Sequence, residues 1–304
     1  MTDPTAIPLA DRGVLRISGP DARSFLQGIV SNDVEQASES HAIWSAFLTP
    51  QGKYLHDFFL VESPLAEEGG ALLLEGERER LPDLMKRLRI YKLRSKAEVE
   101  DVSESHAVFA LLGDAVLKTL ELPEAPGAAT PFGGGVAFAD PRLAAAGARA
   151  VLPAESAAQT LQDAGFLLGT HADYDRVRIP LGLPDGSRDM EIDKAILLEN
   201  GFDELQGVDW KKGCFLGQEL TARTKYRGLV KKRLLPVEIE GHPPEGETAI
   251  TRDGKEVGEL RSHIDGWGLA LLRLQQIEDL PPGGLALGDA KLTPKRPAWF
   301  APNG

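Results

Sequence analysis

The sequence predicts an α+β fold that ends in a small all-β unit, on three observations. Strand-like and helix-like apolar patterns alternate up to about residue 228. Past Leu229 the helical patterns stop and short strand patterns follow one another. The 304 residues suit two or three compact units rather than one.

The elements follow in chain order. Val14–Ser18 alternates as a strand, and Pro20-Asp21 opens a helix through Gln27. His41–Thr49 and Tyr54–Val61 are apolar and aromatic. Pro50-Gln51-Gly52-Lys53 between them is a hairpin signal. Glu77–Leu93 reads as a charged helix with Leu81, Leu84, Met85 and Leu88 on one face. Ala107–Leu112 is expected as a strand, Asp114–Leu120 and Glu155–Ala164 as helices. Gly133-Gly134-Gly135 is a turn, since no Lys-Ser/Thr follows to make a phosphate loop. Leu234–Ile239, Thr248–Thr251, Val257–Ser262 and Leu269–Leu272 are the C-terminal strands. Arg252-Asp253-Gly254-Lys255 is a hairpin turn.

Charge is unevenly distributed. From Lys211 to Arg233 there are eight Lys or Arg and one acid, Glu219, in a chain of net charge −12. Such a run is either a solvated face or an anion-binding segment. It contains the single cysteine, Cys214, between Gly213 and Gly217. Gly217–Arg227 reads as a helix, with Glu219 and Arg223 spaced for an i,i+4 ion pair. A thiol beside that helix start and next to Lys211 and Lys212 is expected to ionise below its usual pKa of about 8.5. Two readings of Cys214 stand: a reactive or ligand-touching thiolate, or a small buried hydrophobe.

Other chemistries find no support. No run approaches the roughly 18 apolar residues of a membrane span. One cysteine excludes an internal disulfide, and Met1-Thr2-Asp3-Pro4 shows no leader pattern, so a cytoplasmic protein is expected. His41, His56, His106, His171, His242 and His263 are scattered, and no metal site is expected. No G-x-S-x-G motif supports a serine nucleophile. The acidic total disfavours nucleic acid as a partner.

The run Lys212-Gly213-Cys214-Phe215-Leu216-Gly217-Gln218-Glu219-Leu220-Thr221-Ala222-Arg223, then Tyr226-Arg227-Gly228 and Lys232-Arg233-Leu234, resembles the signature of the YgfZ-type folate-binding family. That family is related to the glycine cleavage T-protein, an aminomethyltransferase. Within it, Gln218–Thr224 is most similar to the iron–sulfur assembly branch. Asp11–Asp21, Phe25–Gly28, Asn32-Asp33-Val34 and Leu48–Lys53 resemble the family's N-terminal segments, so most of the chain is covered.

The resemblance implies a T-protein-like ring of three subdomains. Residues 1–228 would form two interleaved α+β units that bind folate, and residues 229–304 a C-terminal β-barrel. It implies tetrahydrofolate or a one-carbon derivative as cofactor. Iron–sulfur assembly proteins or client apo-proteins are the implied partners of a monomer. Cys214 and Asp57 are the implied working groups. Asp57 follows His56 where the T-protein has an Asp pair, which speaks against aminomethyl transfer. Tyr174 would stack on the pterin, Arg12 falls near a second such position that is aromatic in some relatives, and Glu199 would accept from the pterin's amino-pyrimidine edge. Lys212, Gln218, Arg223 and Arg227 of the motif join them. The expected function is a folate-binding accessory factor in iron–sulfur cluster assembly or repair. A one-carbon transferase and a tRNA-modification helper are the alternatives.

Overall fold

A computed structural model of the chain describes residues 3–65, 70–278 and 280–300. The chain divides into two compact units. The first comprises Met1–Pro50, Leu55–Tyr174 and Leu205–Gln218; the second comprises Gln51–Tyr54, Asp175–Glu204 and Glu219–Gly304.

The strands of the first unit are β1 (Thr5–Pro8), β2 (Arg12–Ser18), β3 (Ile43–Leu48), β4 (Tyr54–Glu62), β5 (Leu72–Glu77), β6 (Glu98–Asp101), β7 (His106–Leu112), β8 (Ala129–Phe132), β9 (Gly135–Ala139), β10 (Ala148–Pro153) and β11 (Leu167–Leu168). Its helices are α1 (Ala22–Gln27), α2 (Leu81–Lys92), α3 (Val116–Thr119) and α4 (Ala157–Asp163); α5 (His171–Arg178) leads out of it. The strands make two sheets, ordered β3-β4-β5-β2-β6 and β11-β1-β7-β10-β9-β8. The two sheets draw on interleaved stretches of the chain. β1 precedes β2 in sequence, yet each lies in a different sheet.

Strand alternation decides what each sheet face carries. In β5, Leu72 and Leu74 join Leu15, Ile17 and the helix residues Leu26, Leu84 and Leu88 in one core. In β10, Ala148, Ala150 and Leu152 join Val116, Ala157 and Leu161 in a second. Each buried Leu or Phe stabilises the unit by about 1.5–3 kcal/mol. Helices therefore cover one face of each sheet, while the other faces carry Phe59 and Phe138, whose rings lie 6.1 Å apart.

The second unit contains α6 (Gly186–Asp189), most of α7 (Gln218–Tyr226) and a closed barrel. Its strands are β12 (Lys232–Glu240), β13 (Ala249–Arg252), β14 (Lys255–Ile264), β15 (Trp267–Arg273), β16 (Leu285–Leu287) and β17 (Ala290–Pro294). Barrel order is β12-β15-β14-β13-β16-β17, around Val237, Ile250, Leu260, Leu272 and Leu292. The fully buried Arg178 donates to Asp175 and Asp189, each at 2.6 Å. Asp189 in turn accepts from the Ser262 hydroxyl at 2.6 Å, which ties α6 to β14.

Most expected elements form, with ends moved by a few residues. The helix expected over Glu77–Leu93 begins as a 3₁₀ turn at Arg78–Arg80 and becomes α-helical at Leu81. β1, β5, β6, β8, β9, β10, β11, β16 and β17 were not expected; most are too short to show a period.

Candidate functional site

Asp209 organises the segment around Cys214. Its carboxylate accepts from the backbone N–H groups of Lys211 (2.6 Å) and Lys212 (2.9 Å), a turn that an Asp side chain makes readily. The chain then folds back onto the residues after α1. Lys212 Nζ donates to the carbonyls of Val30 (2.6 Å) and Asn32 (2.7 Å), and Leu216 N–H to the carbonyl of Gly28 (3.2 Å). Asn32 Nδ2 reaches the carbonyls of Trp44 and Gln206, both at 2.7 Å, and Ser31 Oγ that of Gly207 at 2.7 Å. Phe215 is buried. Gly213 and Gly217 hold positive φ of 95° and 78°, a course open to glycine at little cost.

Cys214 sits exposed on this clamped loop. Of its two readings, the buried small hydrophobe is ruled out. A thiol so placed can act, through its thiolate, as a nucleophile or a metal ligand toward a partner.

The basic run is less uniform than its composition suggests. Burial pushes the Lys212 ammonium down to about 8, against the pull of Asp33 and Asp209. Lys225 pairs with Asp203 at 2.8 Å. Arg233 is buried, bonded to Glu204 and the Leu198 carbonyl, with its guanidinium 4.9 Å from the Phe300 ring centre. Lys211, Arg223, Arg227 and Lys231 are exposed. The expected Glu219–Arg223 ion pair does not form among the described residues; both side chains face solvent. Gln218 Oε1 accepts from Phe215 N–H at 3.2 Å, which closes the loop into α7.

A second group lies inside the first unit. Glu75 is 1% exposed and receives two guanidinium groups. Arg12 Nε donates to Oε1; Arg149 donates through Nε to Oε2 (2.8 Å) and through Nη2 to Oε1 (3.2 Å). Arg149 also donates to Tyr174 Oη at 3.2 Å, as does Arg142 at 3.4 Å. Arg142 is held by Asp140, with Nη2–Oδ2 at 2.7 Å and Nε–Oδ1 at 3.0 Å. The Phe59 ring lies beneath Arg149 (4.3 Å) and Arg142 (5.1 Å). Desolvation drives the Glu75 carboxyl up, but Arg12 and Arg149 outweigh it and hold it below the usual carboxylate range. Asp140 is held down in the same way by Arg142.

Asp57 is buried and accepts from Trp44 Nε1 at 3.0 Å. His56 points elsewhere. Its Nε2 lies 2.9 Å from Asp83 Oδ2, and burial together with Arg80 pushes its pKa down to about 4.

Glu199 belongs to the second unit and lines a cleft of about 170 Å³ with Asn200, Lys194, Lys232 and Arg261. Burial raises its pKa, against the nearby Lys232 and Lys53. Lys232 also lines a larger cavity, of about 430 Å³, with Leu229, Lys231, Arg273 and Leu274 and without an acidic residue. That volume is within the roughly 300–1,000 Å³ of small-molecule sites.

Arg12 and Tyr174 thus share one network, and Lys212, Cys214 and Gln218 share one loop. Glu199, Arg223 and Arg227 belong to the second unit. Sequence reasoning missed Glu75, Arg142, Arg149 and Asp209. The signal was available for two of them. Glu75 follows Leu72-Leu73-Leu74 within β5, Arg149 stands in Ala148–Leu152, and charges inside apolar strands are almost always paired.

Similarity to known proteins accords with this architecture. Residues 231–302 match the CAF17 C-terminal beta-barrel domain. The iron–sulfur cluster assembly factor IBA57, mitochondrial, of Mus musculus is 34% identical over 289 residues, covering 90% of this chain and 79% of that protein. The Homo sapiens protein of the same name is 34% identical over 300 residues, covering 91% and 81%. The Neurospora crassa homolog is 35% identical over 245 residues, 78% of this chain; there the chain spans 54% of its relative's length. The crystal structure of the glycine cleavage system aminomethyltransferase T from Bartonella henselae superposes with a TM-score of 0.75 at 15% identity, covering 99% of this chain and 87% of that one. The fold is therefore T-protein-like, as expected. The cytoplasmic assignment is corrected, because these IBA57 relatives are named as mitochondrial proteins. A lone cysteine excludes a disulfide without identifying a compartment.

Proposed function

The chain belongs to the IBA57 family of iron–sulfur cluster assembly factors, and we propose that it acts in iron–sulfur cluster assembly with Cys214 as its working group. One observation carries the reading: the only sulfur nucleophile of the chain is exposed on a loop whose own bonds fix its position. A residue that serves only packing would be inside. An exposed thiolate can hand over or share a metal centre that one cysteine alone could not hold, since clusters take about four ligands. The implied partners are assembly proteins or client apo-proteins that supply the remaining ligands.

The test is complementation of a strain that lacks its family member. Wild type should restore the activity of iron–sulfur enzymes and Cys214→Ala should not, at equal protein level. Full rescue by Cys214→Ala would end the proposal.

The folate reading is supported by the second unit. Glu199 is an acceptor suited to an amino-pyrimidine edge. The adjoining 430 Å³ cavity offers Lys231, Lys232 and Arg273 to the carboxylates of a glutamate tail. Lys232 lines both clefts. Arg12 and Tyr174 of the first unit are the further positions to probe. Calorimetry with tetrahydrofolate should show saturable binding that Glu199→Ala and Arg273→Glu each weaken about tenfold or more. No heat with wild type would remove the folate and leave the cysteine proposal standing.

A further inference from the structure

The C-terminal end of α2 has no part in either site. From Lys86 to Lys96 the chain carries six cations and no acid, Lys86, Arg87, Arg89, Lys92, Arg94 and Lys96, so the remainder of the chain, at −12 overall, sits at −18. The helix buries Leu81, Leu84 and Leu88. Its other side leaves large apolar side chains in water: Ile90 is 61% exposed and Leu93 is 87% exposed. Among the described residues Lys86, Lys92, Arg94 and Lys96 form no ion pair.

Leu93 is held in a costly conformation. Its φ of 47° and ψ of −109° match the second residue of a type II′ turn, a place for glycine. The turn is closed by Ser95 N–H donating to the Lys92 carbonyl at 2.8 Å. Lys96 is fixed in turn. Its N–H donates to Asp21 Oδ2 at 2.7 Å, and its carbonyl crosses Gly19 so closely that a Cβ there would come within 2.3 Å. On the helix side Tyr91 packs edge-on against Phe47 at 5.8 Å. A fixed turn therefore presents a leucine to solvent in a stretch of chain that carries four uncommitted cations.

We propose that this surface docks a partner protein through a segment that sets apolar side chains among Asp and Glu. Leu93 and Ile90 are its apolar anchors, and Lys86, Lys92, Arg94 and Lys96 its charged rim. Charge complementarity selects that occupant. An apolar centre inside a charged rim is the layout of a protein interface. An extended polyanion would offer nothing apolar to Leu93.

The experiment uses the full chain and a fluorescein-labelled synthetic helical peptide with Leu and Phe on one face and Glu on the other. Wild type should bind it saturably, and more weakly as salt rises. Leu93→Gly should weaken binding roughly 30-fold, the size of a hot-spot loss. The same change should raise the melting midpoint by about 1–3 °C, because glycine relieves the turn. That opposition separates docking from a structural role. The double charge reversal Lys92→Glu with Arg94→Glu, at surface positions, should also lose binding with the fold intact. No saturable binding by wild type, or wild-type binding by either variant, overturns the proposal. So does tighter Leu93-dependent binding to vesicles of phosphatidylcholine with phosphatidylglycerol, or to tRNA. A dimer in sedimentation velocity that Leu93→Gly dissociates would assign the surface to a second copy and overturn it as well.

Discussion

The interior of the two-sheet unit and the loop at Cys214 both gather positive charge, and they handle it in opposite ways. Inside, Arg12, Arg142 and Arg149 are each matched to a carboxylate and shielded from water. Such an arrangement is rigid, and removing one member strands another as an uncompensated buried charge. At the loop, one cation, Lys212, turns inward to hold the backbone, while Lys211 and Cys214 remain in solvent. Charge in the first region supports structure. In the second it leaves a thiol exposed.

The largest effect expected from this contrast is at Glu75. Glu75→Gln leaves two buried guanidinium groups short of one negative charge and should cost about 3–5 kcal/mol, read from urea unfolding. A cost below about 1 kcal/mol would show that water reaches the network.

Next is His56. Its folded pKa of about 4 is below the ordinary value of 6.5, so it contributes stability above pH 6.5 that is lost as pH falls toward 4. Those roughly 2.5 units amount to about 3 kcal/mol. His56→Gln should flatten the stability profile in that window and leave the loss below pH 4 unchanged. Glu75 and Asp140 govern that lower window: their folded pKa values are depressed, so their contribution persists above about pH 4 and disappears on further acidification.

At the loop, Lys212→Met removes the one inward-turned cation. It frees the Val30 and Asn32 carbonyls and should cost about 1–3 kcal/mol. It should also slow rescue in the complementation assay, because the loop loses its tether. The smallest effect belongs to Cys214→Ser, within about 0.5 kcal/mol of wild type in stability, as for exposed positions in general. A large loss there would mean that the thiol packs.

Much of this was legible in the sequence, for identifiable reasons. β2, β4 and the barrel strands β12 and β14 show clear patterns. Long strands rich in apolar residues announce themselves, and the turn at Arg252–Lys255 marks its hairpin by composition. The cysteine loop was recognisable from its motif. Its clamp was not, because Asp209 and Asn32 are 177 positions apart and only the fold brings their segments together. The Glu75 network was hidden for the same reason: β5 and β10 belong to different sheets. Tyr174 and Arg12 were expected at a ligand, and the structure places both against buried guanidinium and carboxylate groups, where pattern alone offers no hint of a partner.

If the fixed loop offers the chain's one thiol to an incoming molecule, that thiol must react while the chain is folded. The rate at which Cys214 reacts with a bulky disulfide such as 5,5′-dithiobis(2-nitrobenzoate) in the native chain, compared with the urea-unfolded chain, tests it most directly. One thiol is expected to titrate in the native chain at a rate equal to or above the unfolded rate. A thiol that stays silent until the chain unfolds would contradict it.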